Sequence, residues 1–217
     1  MIKHFPLVDN TDTTYLGIIP SDSLFTGQQL TDTMNITEGT LHNNTCGWLH
    51  FYVGKNATCN RTGKPYEIFV SKKTLRYGIS WKHIDSKGGV EGKQVISNNG
   101  EEYTCRLLTG ANTNPATNRN GMGSEWNSLL YRVHSEIVDT NYGNNKQIGV
   151  NWANMSDKEL GVNYDVTTNG SFSWCQEHYR ATYRVFRGTY SVSYFNYYNP
   201  TNTDTSTGWR PVLVRLL

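Results

Sequence analysis

No stretch of this sequence approaches the ~20 consecutive apolar residues needed to cross a bilayer. Its first residues, Met1-Ile2-Lys3-His4-Phe5-Pro6-Leu7, also lack the apolar run of a secretory signal. Membrane insertion is not expected, and synthesis and folding in a cytoplasm are. Charge is sparse as well: 18% of residues are charged and the net charge is +2. That gives neither the basic field of a polyanion binder nor an acidic tail, so no nucleic-acid partner is expected. The four cysteines, Cys46, Cys59, Cys105 and Cys175, match no zinc-knuckle or CxxC spacing, and reduced thiols are expected. His42, Cys46, His50 and Cys59 combine into a metal site only across Gly47-Trp48-Leu49, which reads as a strand start. Ordinary packing is the stronger reading, and no metal or other cofactor is assigned. There is no Gly-rich phosphate loop, nucleophile elbow or Ser/His/Asp order, so the enzyme classes built on them have no support. The sequons at Asn35, Asn43, Asn56, Asn60, Asn154 and Asn169 carry no meaning without a secretory signal.

Ala and Glu are scarce, whereas Asn, Thr, Gly and Tyr are abundant, a balance that suits turns and short strands. The length fits one sizeable domain with a small N-terminal addition. Residues 1–39 read as an arm with a short helix at 21–34, capped by Ser21 or Ser23 and serving as a docking segment. A terminal strand pairing with the body is the other reading of residues 1–20. Residues 40–217 read as the domain proper. Trp48 to Val53 and Glu67 to Val70 have strand content and a turn between them. Lys93 to Ser97 and Glu102 to Leu108 form a second pair, turning at Asn98-Asn99-Gly100. Ser80-Trp81-Lys82-His83-Ile84 resembles a short capped helix, and Ser156-Asp157-Lys158-Glu159 has the capping-box form. Over 124–138, Trp126, Leu129, Leu130, Val133 and Ile137 fall at i, i+3, i+4, i+7 and i+11, which predicts the one main helix. Strands follow at 172–176, 183–187 and 211–217. The fold class is α+β, with a mostly antiparallel sheet, one main helix and long surface loops.

Between the last two strands lies Thr189-Tyr190-Ser191-Val192-Ser193-Tyr194-Phe195-Asn196-Tyr197-Tyr198-Asn199. Tyrosine offers a stiff amphipathic surface, and Ser and Asn add adaptable hydrogen bonds, the mixture that binding loops use. Flat aromatic faces beside amides also suit sugar rings. Tyr190, Ser191, Ser193, Tyr194, Asn196, Tyr197, Tyr198 and Asn199 are therefore the candidate ligand contacts. The plainer alternative has Val192 and Phe195 packing inward while the tyrosines cap the core or a subunit interface. Trp126, Trp174 and Trp209 sit in apolar patterns and read as core. Arg187 and Arg210 flank the segment and are expected to pair with a local carboxylate such as Glu177. Glu125 and Glu177 are the only pair of acids worth weighing for glycoside hydrolysis. Glu125 falls in the first turn of the expected helix, where capping is the stronger reading.

Several blocks resemble a known family: Arg106-Leu107-Leu108-Thr109-Gly110, Gly123-Ser124-Glu125-Trp126-Asn127, Ser173-Trp174-Cys175-Gln176-Glu177, Arg184-Val185-Phe186-Arg187-Gly188 and Gly208-Trp209-Arg210-Pro211-Val212-Leu213. In this order they are similar to bacteriophage and prophage virion proteins of tail-fibre or receptor-binding type, over residues 40–217. More distantly, the Arg-Gly strand and the terminal Gly-Trp-Arg strand resemble the end of C-type-lectin-like domains of the formylglycine-generating-enzyme type. That scaffold hosts enzymes and binders alike. Cys175 has no neighbouring cysteine, so oxidase chemistry is not carried over. The Glu-Pro-Asn and Trp-Asn-Asp motifs of calcium-dependent lectins are absent, Asn151-Trp152-Ala153-Asn154 being a partial echo.

The resemblance implies a C-type-lectin-like virion surface protein, not an enzyme, that binds a host-envelope glycan or protein through the tyrosine-rich segment. It implies other virion proteins as partners and a homo-oligomer, with a trimer as the expected order. The alternatives are a capsid or tail decoration protein without a receptor and, less favoured, an envelope-glycan hydrolase.

Overall fold

The computed structural model describes residues 12–43, 47–135, 151–163 and 169–217. Its strands form two six-stranded sheets. The first has the order β1 (Thr13–Ile19), β3 (Trp48–Val53), β4 (Tyr66–Ser71), β12 (Pro211–Leu216), β7 (Glu102–Leu107) and β6 (Lys93–Ile96), every neighbouring pair antiparallel. The second has the order β10 (Phe195–Tyr198), β9 (Tyr183–Gly188), β8 (Phe172–Tyr179), β11 (Thr207–Trp209), β5 (Arg76–Tyr77) and β2 (Thr40–Leu41). There only β8 and β11 run parallel. The protein is mixed α+β and mostly sheet.

Both expected hairpins form. β3 and β4 pair from Trp48 opposite Ser71 to Val53 opposite Tyr66. β6 and β7 are joined by a turn in which Gly100 takes φ +81°, a conformation glycine enters without steric cost. The period of two then sorts side chains onto two cores. Leu49, Phe51 and Val53 of β3, Ile68 and Val70 of β4, and Val212 and Val214 of β12 enter one cluster with Trp126, Leu129 and Leu130. Trp48, Phe69 and Leu213, one residue out of phase, enter the other with Trp81, Trp174, Phe186 and Trp209. The middle of the first sheet is thus buried on both faces, which accounts for the apolar run from Pro211 to Val214 in β12.

β1 lies along β3, and Leu24, Phe25, Leu30, Met34 and Ile36 are buried in the second cluster. The helix expected at 21–34 is shorter: α1 (Gly27–Met34) follows a separate 3-10 turn at Ser21–Ser23. Its cap is Thr26, whose hydroxyl accepts from Gln29 N–H while the Gln29 side chain accepts from Thr26 N–H. Ser80 caps α2 (Trp81–Ser86), and Ser156 and Glu159 close a reciprocal capping box on α3 (Asp157–Leu160).

The single main helix at 124–138 is corrected. Four helices are present among the described residues, and this stretch is only a π-helical turn at Trp126–Leu130 running into a 3-10 turn at Tyr131–Val133. The cause is competition for the backbone. His134 leaves helical geometry at φ −75°, ψ 153°, Met155 N–H donates to Val133 O, and Ser135 N–H donates to Met155 O. The chain trades further helical turns for a short parallel bridge. Ile137, which completed the apolar face, lies outside the described residues, as do residues 1–11 of the expected arm and Cys46.

Candidate functional site

The tyrosine-rich segment is half turn and half edge strand. Arg187 opposes Phe195 and Arg184 opposes Tyr198, so β10 closes one edge of the second sheet. The turn opens on two consecutive positive φ angles, Gly188 at +94° and Thr189 at +83°. A Cβ on Gly188 would stand 2.5 Å from Ser171 O, so only glycine fits there. Thr189 is β-branched and fully buried, and its hydroxyl is 2.8 Å from that of Ser171. Backbone held in this region costs on the order of 1–3 kcal/mol and persists only where the surroundings enforce it.

The enforcing group is Arg187, which is 0% exposed. Its Nε donates to Tyr194 O at 3.0 Å, and its two terminal nitrogens donate to Gly110 O at 2.9 Å and Ser193 O at 3.4 Å. Burial pulls its pKa down to about 10. Arg210 is equally buried and donates to Ser173 Oγ and to the carbonyls of Ser71, Lys72 and Leu160. Both arginines are structural, but the carboxylate pairing expected with Glu177 does not form. Among the described residues, main-chain carbonyls and the Ser173 hydroxyl accept from their N–H groups, and Glu177 is engaged by Arg61 at 3.4 Å.

The eight candidate contacts divide by exposure. Tyr190 and Tyr198 are 57% and 42% exposed, and Asn199 is exposed beside Tyr198. Ser191, Asn196 and Tyr197 are half-buried. Ser193 and Tyr194 are buried, the Tyr194 hydroxyl accepting from Asn196 Nδ2 at 2.9 Å. Val192 and Phe195 pack inward. The strand adds aromatics that sequence reasoning missed. Tyr197 stacks on Tyr179 at 3.9 Å with nearly parallel rings, and Tyr183 leans on Tyr197 at 5.3 Å. The Arg119 guanidinium lies 5.6 Å from the Tyr197 ring. On the other face of β10, Tyr198 and Phe186 join Phe172, Asn202 and Asp204 around a small recess of about 60 Å³. Strand alternation along β10 was the signal that would have separated Tyr197 from Tyr198.

A second, polar site lies where the blocks at 106–110, 123–127 and 173–177 converge. Glu125 is 1% exposed, and its carboxylate accepts from both terminal nitrogens of Arg106 (2.7 and 2.5 Å), from Thr109 N–H (3.1 Å) and from Tyr66 Oη (2.9 Å). Burial alone would raise its pKa, but Arg106 and these hydrogen bonds outweigh burial and hold it below the ordinary value. The expected helix-capping role is thereby replaced by a buried ion pair; the Glu125 side chain makes no cap bond.

Glu177 is 0% exposed and accepts from the next amide, Gly110 N–H, at 2.8 Å. It reaches that amide because the β8–β9 register breaks between Trp174 and His178, freeing Gln176 N–H to donate to Leu108 O. Burial raises the Glu177 pKa to about 7 despite Gly110 and Arg61. The two acids thus occupy consecutive amides with opposite proton affinities. Beside them opens a cleft of about 350 Å³ bounded by Arg61, Arg106, Asn114, Glu125 and Gln176.

The paper metal site is not assembled among the described residues. His42 packs on Tyr77, His50 contacts Glu67 at 3.1 Å and stacks on Phe69, and Cys59 is buried with its thiol pushed up to about 12. No group of three His, Cys, Asp or Glu residues arranged to hold a metal occurs among the described residues. No described helix is long and apolar enough to cross a membrane. Comparison with models of protein families, with curated proteins and with solved structures found no match.

Proposed function

We propose that this chain is a bacteriophage virion surface protein with a C-type-lectin-like domain, and that it binds a host-envelope glycan through the 189–199 ribbon. The observation that carries this reading is the exposed tyrosine surface at a rigidly held sheet edge. Tyr190 and Tyr198 stand in solvent, and Tyr197 with Tyr179 forms a stacked aromatic pair. The turn that presents them is strained and clamped from below by Arg187. Strained, over-determined backbone gathers where a protein meets its ligand. Binding is favoured over hydrolysis because Glu125 is locked to Arg106 and the Glu177 side chain is fully covered. Symmetric oligomers, a trimer in this reading, would multiply weak glycan contacts, and other virion proteins would hold the chain on the particle.

The test is co-sedimentation of the purified protein with envelope fractions from a panel of bacteria, beside a Tyr190→Ala/Tyr198→Ala variant. These two tyrosines are exposed, so their removal leaves the core intact. Saturable binding lost in the variant, with an unchanged unfolding temperature, is the expected result. Binding to no envelope, or full binding by the variant, would overturn the ribbon and favour a decoration protein without a receptor.

A further inference from the structure

We propose that the cleft between Arg106, Glu125 and Gln176 is a second binding site, and that its ligand is a neutral saccharide of one or two rings. Its volume of about 350 Å³ falls within the range of small-molecule sites, which begins at roughly 300 Å³. It is built from the 59–66 segment, β7 and the irregular part of β8, and does not use the 189–199 ribbon.

The charges in the walls decide the ligand class. Both terminal nitrogens of Arg106 donate to Glu125 and one also to Leu107 O, while Arg61 donates to Ala111 O at 2.8 Å and to Glu177. The carboxylates of Glu91 and Glu125 match the two cations of the lining, Arg61 and Arg106, so a phosphate or carboxylate meets no net positive charge there. An apolar ligand fits no better, because nine of the ten lining residues carry charged, amide or hydroxyl side chains. What remains is a fixed set of donors next to acceptors. Asn114 uses its Oδ1 on His178 N–H, which leaves its NH₂ group as donor. Gln176 uses its Nε2 on Val90 O, which leaves its Oε1 as acceptor. Glu91 at the exposed rim adds a carboxylate acceptor, whereas the Glu125 oxygens are filled by Arg106, Thr109 and Tyr66.

A sugar hydroxyl donates and accepts at once, so vicinal hydroxyls match such an alternation where a singly charged ligand does not. The hydrogen bonds that position Glu125 and Arg106 are already made, so ordering the site on binding costs little. This inference stands apart from the ribbon proposal and does not depend on it.

The experiment is titration of the full chain, followed by backbone-amide NMR shifts. The probes are glucose, galactose, rhamnose, N-acetylglucosamine and their disaccharides, with inorganic phosphate as a further probe. The expected result is saturable binding of at least one saccharide with a Kd of about 1 mM or lower, weakened about tenfold or more by Glu91→Trp. That tryptophan closes the mouth from an exposed position. Gln176→Met, which keeps the stem and removes the acceptor, weakens binding too. Tyr190→Ala/Tyr198→Ala leaves it unchanged, which separates this site from the ribbon. Absence of saturable binding by every saccharide, binding that survives both cleft variants, or competition by phosphate would each overturn the proposal.

Discussion

Glu125 and Thr109 bind each other in both directions: Glu125 N–H donates to Thr109 Oγ1 at 2.8 Å, and Thr109 N–H donates to the Glu125 carboxylate at 3.1 Å. Trp126 N–H adds a third bond to Thr109 O at 3.0 Å. The end of β7 and the start of the helical segment are thereby locked together, and the Arg106–Glu125 pair is assembled on that lock.

Removing one member of this pair should cost far more than removing both. Glu125→Gln leaves the Arg106 guanidinium buried without its counter-charge, and a loss of about 3–5 kcal/mol is expected in urea unfolding. Arg106→Met with Glu125→Leu should lose markedly less. Equal losses would mean that the pair does not act as a unit.

Glu177 makes stability fall as pH rises. Its pKa goes from the ordinary 4.5 to about 7 on folding. The folded state therefore holds a proton that the unfolded state has released. The associated stability is complete below pH 4.5 and is lost as pH climbs through 7, a change of about 3 kcal/mol. Glu125 works the other way: its depressed pKa stabilises above its ordinary value and is lost in acid. Urea titrations at pH 4.5 and 7.5 should show that Glu177→Gln, which keeps an acceptor for Gly110 N–H, flattens the slope between them. An unchanged slope would assign the proton elsewhere.

What the sequence made legible is what local chemistry decides. The capping box at Ser156, the Ser80 cap and the Asn98-Asn99-Gly100 hairpin each depend on residues within a few positions of one another. The Tyr190 to Asn199 stretch was recognisable as a tyrosine-rich segment by composition alone. Its division was not, because the pairing of β10 with β9 fixes which tyrosines turn outward. The apolar period over 124–138 described a helix that the backbone of Met155 cuts short. Glu125 and Glu177 stood out as acids, but their partners, Arg106 and Arg61, lie 19 and 116 residues away in sequence. No local spacing carries such contacts.

Gly110 is where the two sites touch. Its N–H serves Glu177, its carbonyl serves Arg187, and a Cβ there would stand 2.4 Å from Cys175 Sγ and 2.8 Å from Cys175 Cβ. Cys175 is fully buried on β8 and cannot step aside without moving the strand. Gly110→Ala should therefore destabilise by about 1–3 kcal/mol, the range for overpacking a close-packed site. Cys175→Ala, by removing the clashing sulfur, should recover part of that loss. Thermal unfolding of the single and double variants checks it, and simple additivity would refute the clash.

Arg187 links the core to the ribbon, so the two consequences of replacing it should appear together. Arg187→Lys keeps the charge but replaces a rigid fork reaching Tyr194 O, Gly110 O and Ser193 O with one compact ammonium. Tyr194 O retains Gly188 N–H at 3.2 Å, whereas Gly110 O and Ser193 O stand to lose their arginine partner. A loss of about 2 kcal/mol is expected from orphaned buried acceptors. Because Ser193 and Tyr194 sit between Tyr190 and Tyr198, the turn should loosen and envelope attachment should weaken even at temperatures where the variant is fully folded. Urea midpoints and co-sedimentation measured on the same preparation separate the effects. A stability loss with undiminished attachment would confine Arg187 to the core and leave the strained turn without a part in binding.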